Sequence, residues 1–125
     1  MGKGGQAVEV KLYDAEYRLM EIVWGEQPLP SMRLAQLAAE RLGWKKSTTY
    51  TVLRKLCQRG LLQNEGGAVA ALITKQQALR AQGQPLLEKC GGLPGFLNTF
   101  FSGRALTPQE VECLQRLIDQ NRGEG

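Results

Sequence analysis

The sequence predicts a mostly α fold: a helix-turn-helix, a small two- or three-stranded wing sheet, and a C-terminal helical segment. Three observations predict it. Residues 41–60, RLGWKKSTTYTVLRKLCQRG, hold a basic amphipathic helix. A second amphipathic stretch ends at Gly43, with Trp44 to Lys46 as the whole connection. Gly66-Gly67 separates two strand-capable runs, which is a hairpin signal.

Taken in order, residues 1–8 are Gly-rich and read as a disordered N-terminus. Asp14 is the expected cap of a first helix to about Trp24, with Tyr17, Met20, Val23 and Trp24 on one face and Gly25 as its stop. Pro28 to Pro30 is extended, because proline restricts the residue before it, and is able to add a short strand. Ser31 is the expected cap of a second helix, with Leu34, Leu37, Ala38 and Leu42 inward. In the third helix Ser47 or Thr48 is the expected cap and Gly60 the stop. Thr49, Leu53 and Leu56, joined by Val52 and Cys57, make its apolar side. The hairpin after it completes a winged helix, so residues 9–82 read as one domain.

Residues 83–125 read as a linker and helical dimerisation region. Gly83 and Pro85 predict a kink or break near Gln84, since proline inside a helix costs about 3 kcal/mol. Gly91-Gly92 is a hinge signal. A short helix follows, with Phe96, Leu97, Phe100 and Phe101 apolar; the chain's three Phe all fall here. Thr107-Pro108-Gln109-Glu110 is a capping box opening a last helix, whose stripe is Val111, Leu114, Leu117 and Ile118. So short a tail is marginal alone. It either folds back on the first domain or pairs with a second copy, and pairing suits a reader of two-fold DNA.

Composition narrows the chemistry. There is no histidine, the commonest general base and metal ligand. No phosphate loop and no serine elbow occur, so no enzyme, cofactor or metal is implied. Cys57, Cys90 and Cys113 lie too far apart for a zinc module and are odd in number, against a disulfide framework. No apolar run spans a bilayer, no signal peptide is visible, and Gln6 breaks the myristoylation pattern. The expectation is a cytoplasmic protein without direct membrane insertion. Net charge is +4, and the whole surplus lies in residues 1–75, which favours a polyanion.

Residues 41–60 carry six cations and no acid. Such a helix suits a major groove, which offers acceptors to Arg and Lys and a methyl to Thr. The same pattern also describes a helix with a merely solvated face. The DNA-binding candidates are Lys45, Lys46, Ser47, Thr48, Tyr50, Thr51, Arg54 and Lys55. Thr48 and Thr51 would face the groove floor, while Tyr50 and the cations hold phosphate, which positions rather than specifies. The wing is poor in charge, with no Lys or Arg between Arg59 and Lys75. Two other readings stand beside this one: a winged-helix adaptor that binds protein, and a redox- or ligand-gated regulator using Cys90 or Cys113.

Three segments carry a resemblance: DAEYRLMEIVW, TTYTVLRKLCQRGLL and LTPQEVECLQRLID. Together they make the chain resemble the penicillinase-repressor (BlaI/MecI/CopY) family over roughly residues 10–120. The resemblance implies a homodimeric winged-helix repressor on a pseudo-palindromic double-stranded DNA operator. Some members have a sensor protease or its downstream protease as a further partner, and are cut between the two parts at an Asn-Phe bond. Copper-responsive members use a C-terminal Cys-x-Cys. This chain departs from the pattern. It has no Cys-x-Cys, Arg59 stands where Lys is usual, and Leu87-Glu88 aligns with the cleaved bond. Gly67 or Ala68 replaces a basic wing residue, and Ala71 a wing aromatic.

Overall fold

Helix α1, Asp14–Glu26, buries Leu19, Met20, Ile22 and Val23 on one face. In the computed structural model, which describes residues 11–123, it is the first element; the expectation for residues 1–8 lies outside the described residues. Tyr13 rather than Asp14 holds the cap position, and its amide donates to Glu16 Oε1 at 3.0 Å. The chain then passes through the extended pair Leu29–Pro30 (β1) into α2, Ser31–Leu42, which buries Leu34, Ala35, Leu37 and Ala38. Helix α3, Lys46–Gln58, follows after Gly43, Trp44 and Lys45, and buries Thr49, Leu53 and Leu56. Its end is a Schellman turn. Leu61 N–H donates to Leu56 O at 3.0 Å, Gly60 N–H to Cys57 O at 3.1 Å, and Gly60 takes φ +78°, where a side chain is strained.

The wing is β2, Leu62–Glu65, and β3, Ala68–Ala71. Glu65 pairs with Ala68, so only Gly66 and Gly67 turn the hairpin. Their φ values, +61° and +84°, are the two positive angles a type I′ turn requires. The β1 strand joins on the other side of β3, with Leu29 opposite Val69, giving a three-stranded antiparallel sheet in the order β1-β3-β2. Pro30, without an N–H, sits on an edge strand as it must. Two side chains tie α1 to the sheet. Gln27 Oε1 accepts from Ala71 N–H at 2.7 Å, and Trp24 Nε1 donates to Ile73 O at 2.9 Å. The core they surround is Leu19, Met20, Val23, Leu34, Leu56, Leu61, Leu62 and Val69, all fully buried. The fold class is therefore the expected one, a winged helix-turn-helix followed by helices.

The chain divides into two units, residues 1–84 and 85–125. Helix α4, Lys75–Lys89, opens on a reciprocal box: Thr74 N–H donates to Gln77 Oε1 at 2.9 Å, and Gln77 N–H to Thr74 Oγ1 at 3.0 Å. It buries Ala78 in the core of the first unit. Of the kink or break expected near Gln84, the break does not occur, for α4 continues through Gly83 and Pro85. Proline forfeits one N–H to the carbonyl four residues back. That residue is the exposed Ala81, whose carbonyl has water available instead.

In the second unit, α5 spans Leu93–Phe101 and α6 spans Pro108–Gln120. Gly91 and Gly92, both at positive φ, turn the chain from α4 into α5. The turn is tight: a Cβ on Gly95 would stand 1.8 Å from the Cys90 carbonyl oxygen. Helix α6 has the predicted capping box, with Glu110 N–H donating to Thr107 Oγ1 at 3.1 Å and Thr107 N–H to Glu110 Oε1 at 2.9 Å. That backbone bond, aided by the Arg104 guanidinium, holds the Glu110 carboxyl below its ordinary pKa.

Candidate nucleic-acid interface

The first turn of α3 is unlike that of α6. Lys45, not Ser47 or Thr48, holds the cap position, and it has no side chain able to accept from the helix amides. The first-turn N–H groups are therefore uncapped, and no acid lies among them. Helix dipole and Lys45 and Lys46 add in one direction, which favours an anion. Because the helix starts at Lys46, Ser47 and Thr48 move inside its first turn and stand exposed. The correction to the cap thus frees both hydroxyls for an outside partner.

Along the rest of α3 the exposed arc carries Thr51, Arg54, Lys55 and Gln58. Tyr50 lies half-buried at its edge, with the Lys46 ammonium 5.9 Å from its ring centroid. Thr51 Oγ1 donates to Ser47 O at 2.9 Å, so its proton is already used. What Thr51 offers outward is a lone pair and a methyl group. The buried Thr49 likewise turns its hydroxyl to Lys45 O, at 3.4 Å, which removes the cost of a polar group in the core.

The six cations of residues 41–60 divide into two sets. Arg41 pairs with Glu26 at 3.2 Å, and Arg59 with Glu16 at 3.0 Å. Among the described residues Lys45, Lys46, Arg54 and Lys55 form no ion pair. The eight sequence-chosen residues therefore share one helix and its entry, and none of their cations is held by a carboxylate among the described residues. The fate of Arg59 was invisible in sequence, because Glu16 lies 43 positions away. Cys57 is half-buried behind the face, and burial pushes its thiol pKa up. Asn64, exposed on β2, lines a groove beside α3 with Tyr50 and Arg54. Nothing in the local sequence marks it.

The sequence-chosen dimerisation residues behave differently from a core. Neither α5 nor α6 buries a side chain within the chain. Phe96 packs against Phe100 with ring centroids 4.6 Å apart and the planes tilted by 58°, yet Phe100 is 51% exposed. Val111, Leu117 and Ile118 are exposed, at 49%, 49% and 57%. Leu97, Phe101 and Leu114 are half-buried. Cys90 is half-buried and Cys113 exposed. No helix among the described residues is long and apolar enough to cross a membrane.

A protein-family profile described as "Penicillinase repressor" matches residues 12–120, nearly the whole chain. No match is found among curated proteins.

Proposed function

From the premise that the chain belongs to the penicillinase repressor family, a family of DNA-binding transcriptional repressors, we propose that it acts as a homodimer on a two-fold operator. The observation that carries this reading is the first turn of α3. Together with the exposed arc that continues it to Lys55, it combines uncapped amides, four cations that form no ion pair among the described residues, and three exposed hydroxyl residues, Ser47, Thr48 and Thr51, with no acid. That set binds phosphate through charge and reads base edges through hydroxyl and methyl groups. In this reading Lys45, Lys46, Tyr50, Arg54 and Lys55 hold the backbone, and Thr48 and Thr51 meet the bases. The half-site is read by residues 9–82.

The second copy is supported by the apolar stripes of α5 and α6. Phe100, Val111, Leu117 and Ile118 leave about half of each side chain in water. Exposed apolar patches of this kind mark interaction sites. Pairing through residues 83–125 gives each operator two linked readers, and the linkage raises affinity by about 10²–10⁴. Sedimentation of the full chain at micromolar concentration, with and without a duplex selected from a random library, tests both parts. The expected species is a dimer that binds one duplex, with affinity falling steeply as salt rises. A monomer at that concentration overturns the dimer, and binding indifferent to salt overturns the DNA reading in favour of a protein partner.

A further inference from the structure

The wing offers few side chains for touching DNA. Its turn is Gly66-Gly67 followed by Ala68, none with a side-chain donor. Its one charge is Glu65, and the next cation along the chain, Lys75, is paired with Glu21 at 3.2 Å. Side chains alternate along a strand, so Leu62 and Asn64 share one face of β2 while Gln63 and Glu65 share the other. Leu62 is buried in the core, and Asn64 lines a groove of about 320 Å³ against α3. Tyr50, Leu53, Arg54 and Cys57 complete that groove, and no carboxylate lines it.

We infer that Tyr50, Arg54 and Asn64 form a seat for one phosphate oxyanion of the DNA backbone, between the recognition helix and the wing. The inference rests on the DNA-binding reading above and adds to it the wing residue that does the wing's work. Three residues with different donors line the groove: Arg54, whose guanidinium forms no ion pair among the described residues, Asn64 with a primary amide and Tyr50 with a phenol. A phosphodiester presents acceptors only, and Arg matches it best. Leu53 gives the groove a dry wall, being 3% exposed. The Cys57 thiol, kept protonated by burial, adds no negative charge to repel the ligand. Glu65, on the opposite face of β2, points away from the seat. A strand that carries an acid at its tip thus still presents only neutral donors to the backbone.

Charge substitutions of opposite sign at Asn64 test the seat, measured on the full chain with a mixed-sequence duplex. Asn64→Asp is expected to weaken binding about tenfold, and Asn64→Lys to tighten it several-fold while steepening log K against log salt by about one unit per protomer. A merely damaged fold would weaken both, so the split in sign is the signature. Gln63→Asp, on the other face of the same strand, is expected to shift affinity no more than about twofold, as distance and screening require. Equal losses for Gln63→Asp and Asn64→Asp would reduce the seat to a general field and overturn it, as would duplex affinity unchanged by both Asn64 variants. Inorganic phosphate at constant ionic strength separates the two sources of oxyanion. Little displacement of duplex is expected, and displacement at millimolar phosphate would assign the groove to a free phosphate ligand instead. A wild-type chain that binds no duplex would overturn the DNA reading itself, a result distinct from binding that ignores Asn64.

Discussion

Arg59 closes α3 onto α1 through Glu16: one guanidinium nitrogen lies 3.0 and 3.1 Å from the two carboxylate oxygens, and the other bonds the Lys11 carbonyl. Glu16 is only 13% exposed at its side chain, and its Oε1 also accepts from Tyr13 N–H at 3.0 Å. The pair therefore links the cap of the first helix to the end of the recognition helix.

This relationship sets the first prediction. Arg59→Lys keeps a charge but loses the planar fork that reaches both Glu16 and the Lys11 carbonyl. The expected loss is about 1–2 kcal/mol of folding stability, above that of an open surface pair because Glu16 is largely covered. A double-mutant cycle with Glu16→Gln should show coupling of about 1 kcal/mol by urea unfolding. The slope of duplex affinity against salt should stay unchanged, since Arg59 is committed to Glu16. A flatter slope in Arg59→Lys would place Arg59 on phosphate.

Thr51→Val tests base reading. The Thr51 proton is held by Ser47 O, so the hydroxyl can only accept from a base, as from the amino group of adenine or cytosine. Valine keeps the methyl contact and removes the acceptor. The expected cost is about 1–3 kcal/mol at the best selected duplex, with random duplex little affected. Equal losses on both would remove Thr51 from sequence reading.

Lys45 and Lys46 test backbone contact at the start of α3. Both are exposed and form no ion pair among the described residues, beside uncapped amides. Alanine at both should weaken binding to every duplex alike and flatten log K against log salt by about one to two units per protomer. An unchanged slope would take both lysines off the DNA.

Much of this was legible in sequence, because it follows from local pattern. The stripe Thr49, Leu53 and Leu56 is buried as its spacing requires, and Gly66-Gly67 makes the two-residue turn that needs two positive φ angles. The start of α3 was not legible. Ser and Thr favour a cap by only about 1 kcal/mol, and Trp44, just before the helix, packs on the core, a tertiary contact that the local pattern does not contain. Pairings such as Arg59 with Glu16 depend on how α1 and α3 pack, and no window of sequence contains both. Asn64 escaped for the same reason: its place is given by the hairpin's register against α3, not by its neighbours in sequence. In the second unit, periodicity marked Phe100, Leu117 and Ile118 as apolar, but a stripe left open and a stripe buried have the same spacing.

The continuity of α4 moves the expected site of cleavage. Residues 83–92, with Gly83, Pro85 and two more glycines, look from sequence like an open linker. In the structure α4 runs to Lys89, and Cys90 N–H still donates back to Leu86 O at 3.1 Å. A protease needs several residues in extended form, and helical residues must first unfold to supply them. The longest non-helical stretch in the second unit is residues 102–107, where Gly103 has positive φ and Ser102, Gly103, Arg104 and Ala105 are exposed. Between α3 and α6 trypsin should therefore cut first after Arg104, with cuts after Arg80 and Lys89 following later. The Arg104–Glu110 ion pair slows this cut but, being exposed, holds the loop only weakly. The cut detaches α6 with Val111, Leu114, Leu117 and Ile118, so pairing should weaken and operator affinity should fall toward that of a single reader, by up to about 10²–10⁴. Mass spectrometry of early fragments, followed by sedimentation of the nicked chain, reads both steps. A first cut after Lys89 would show that α4 opens at its end more readily than the loop does, and a nicked chain that stays dimeric would assign pairing to α5 and its Phe cluster instead of α6.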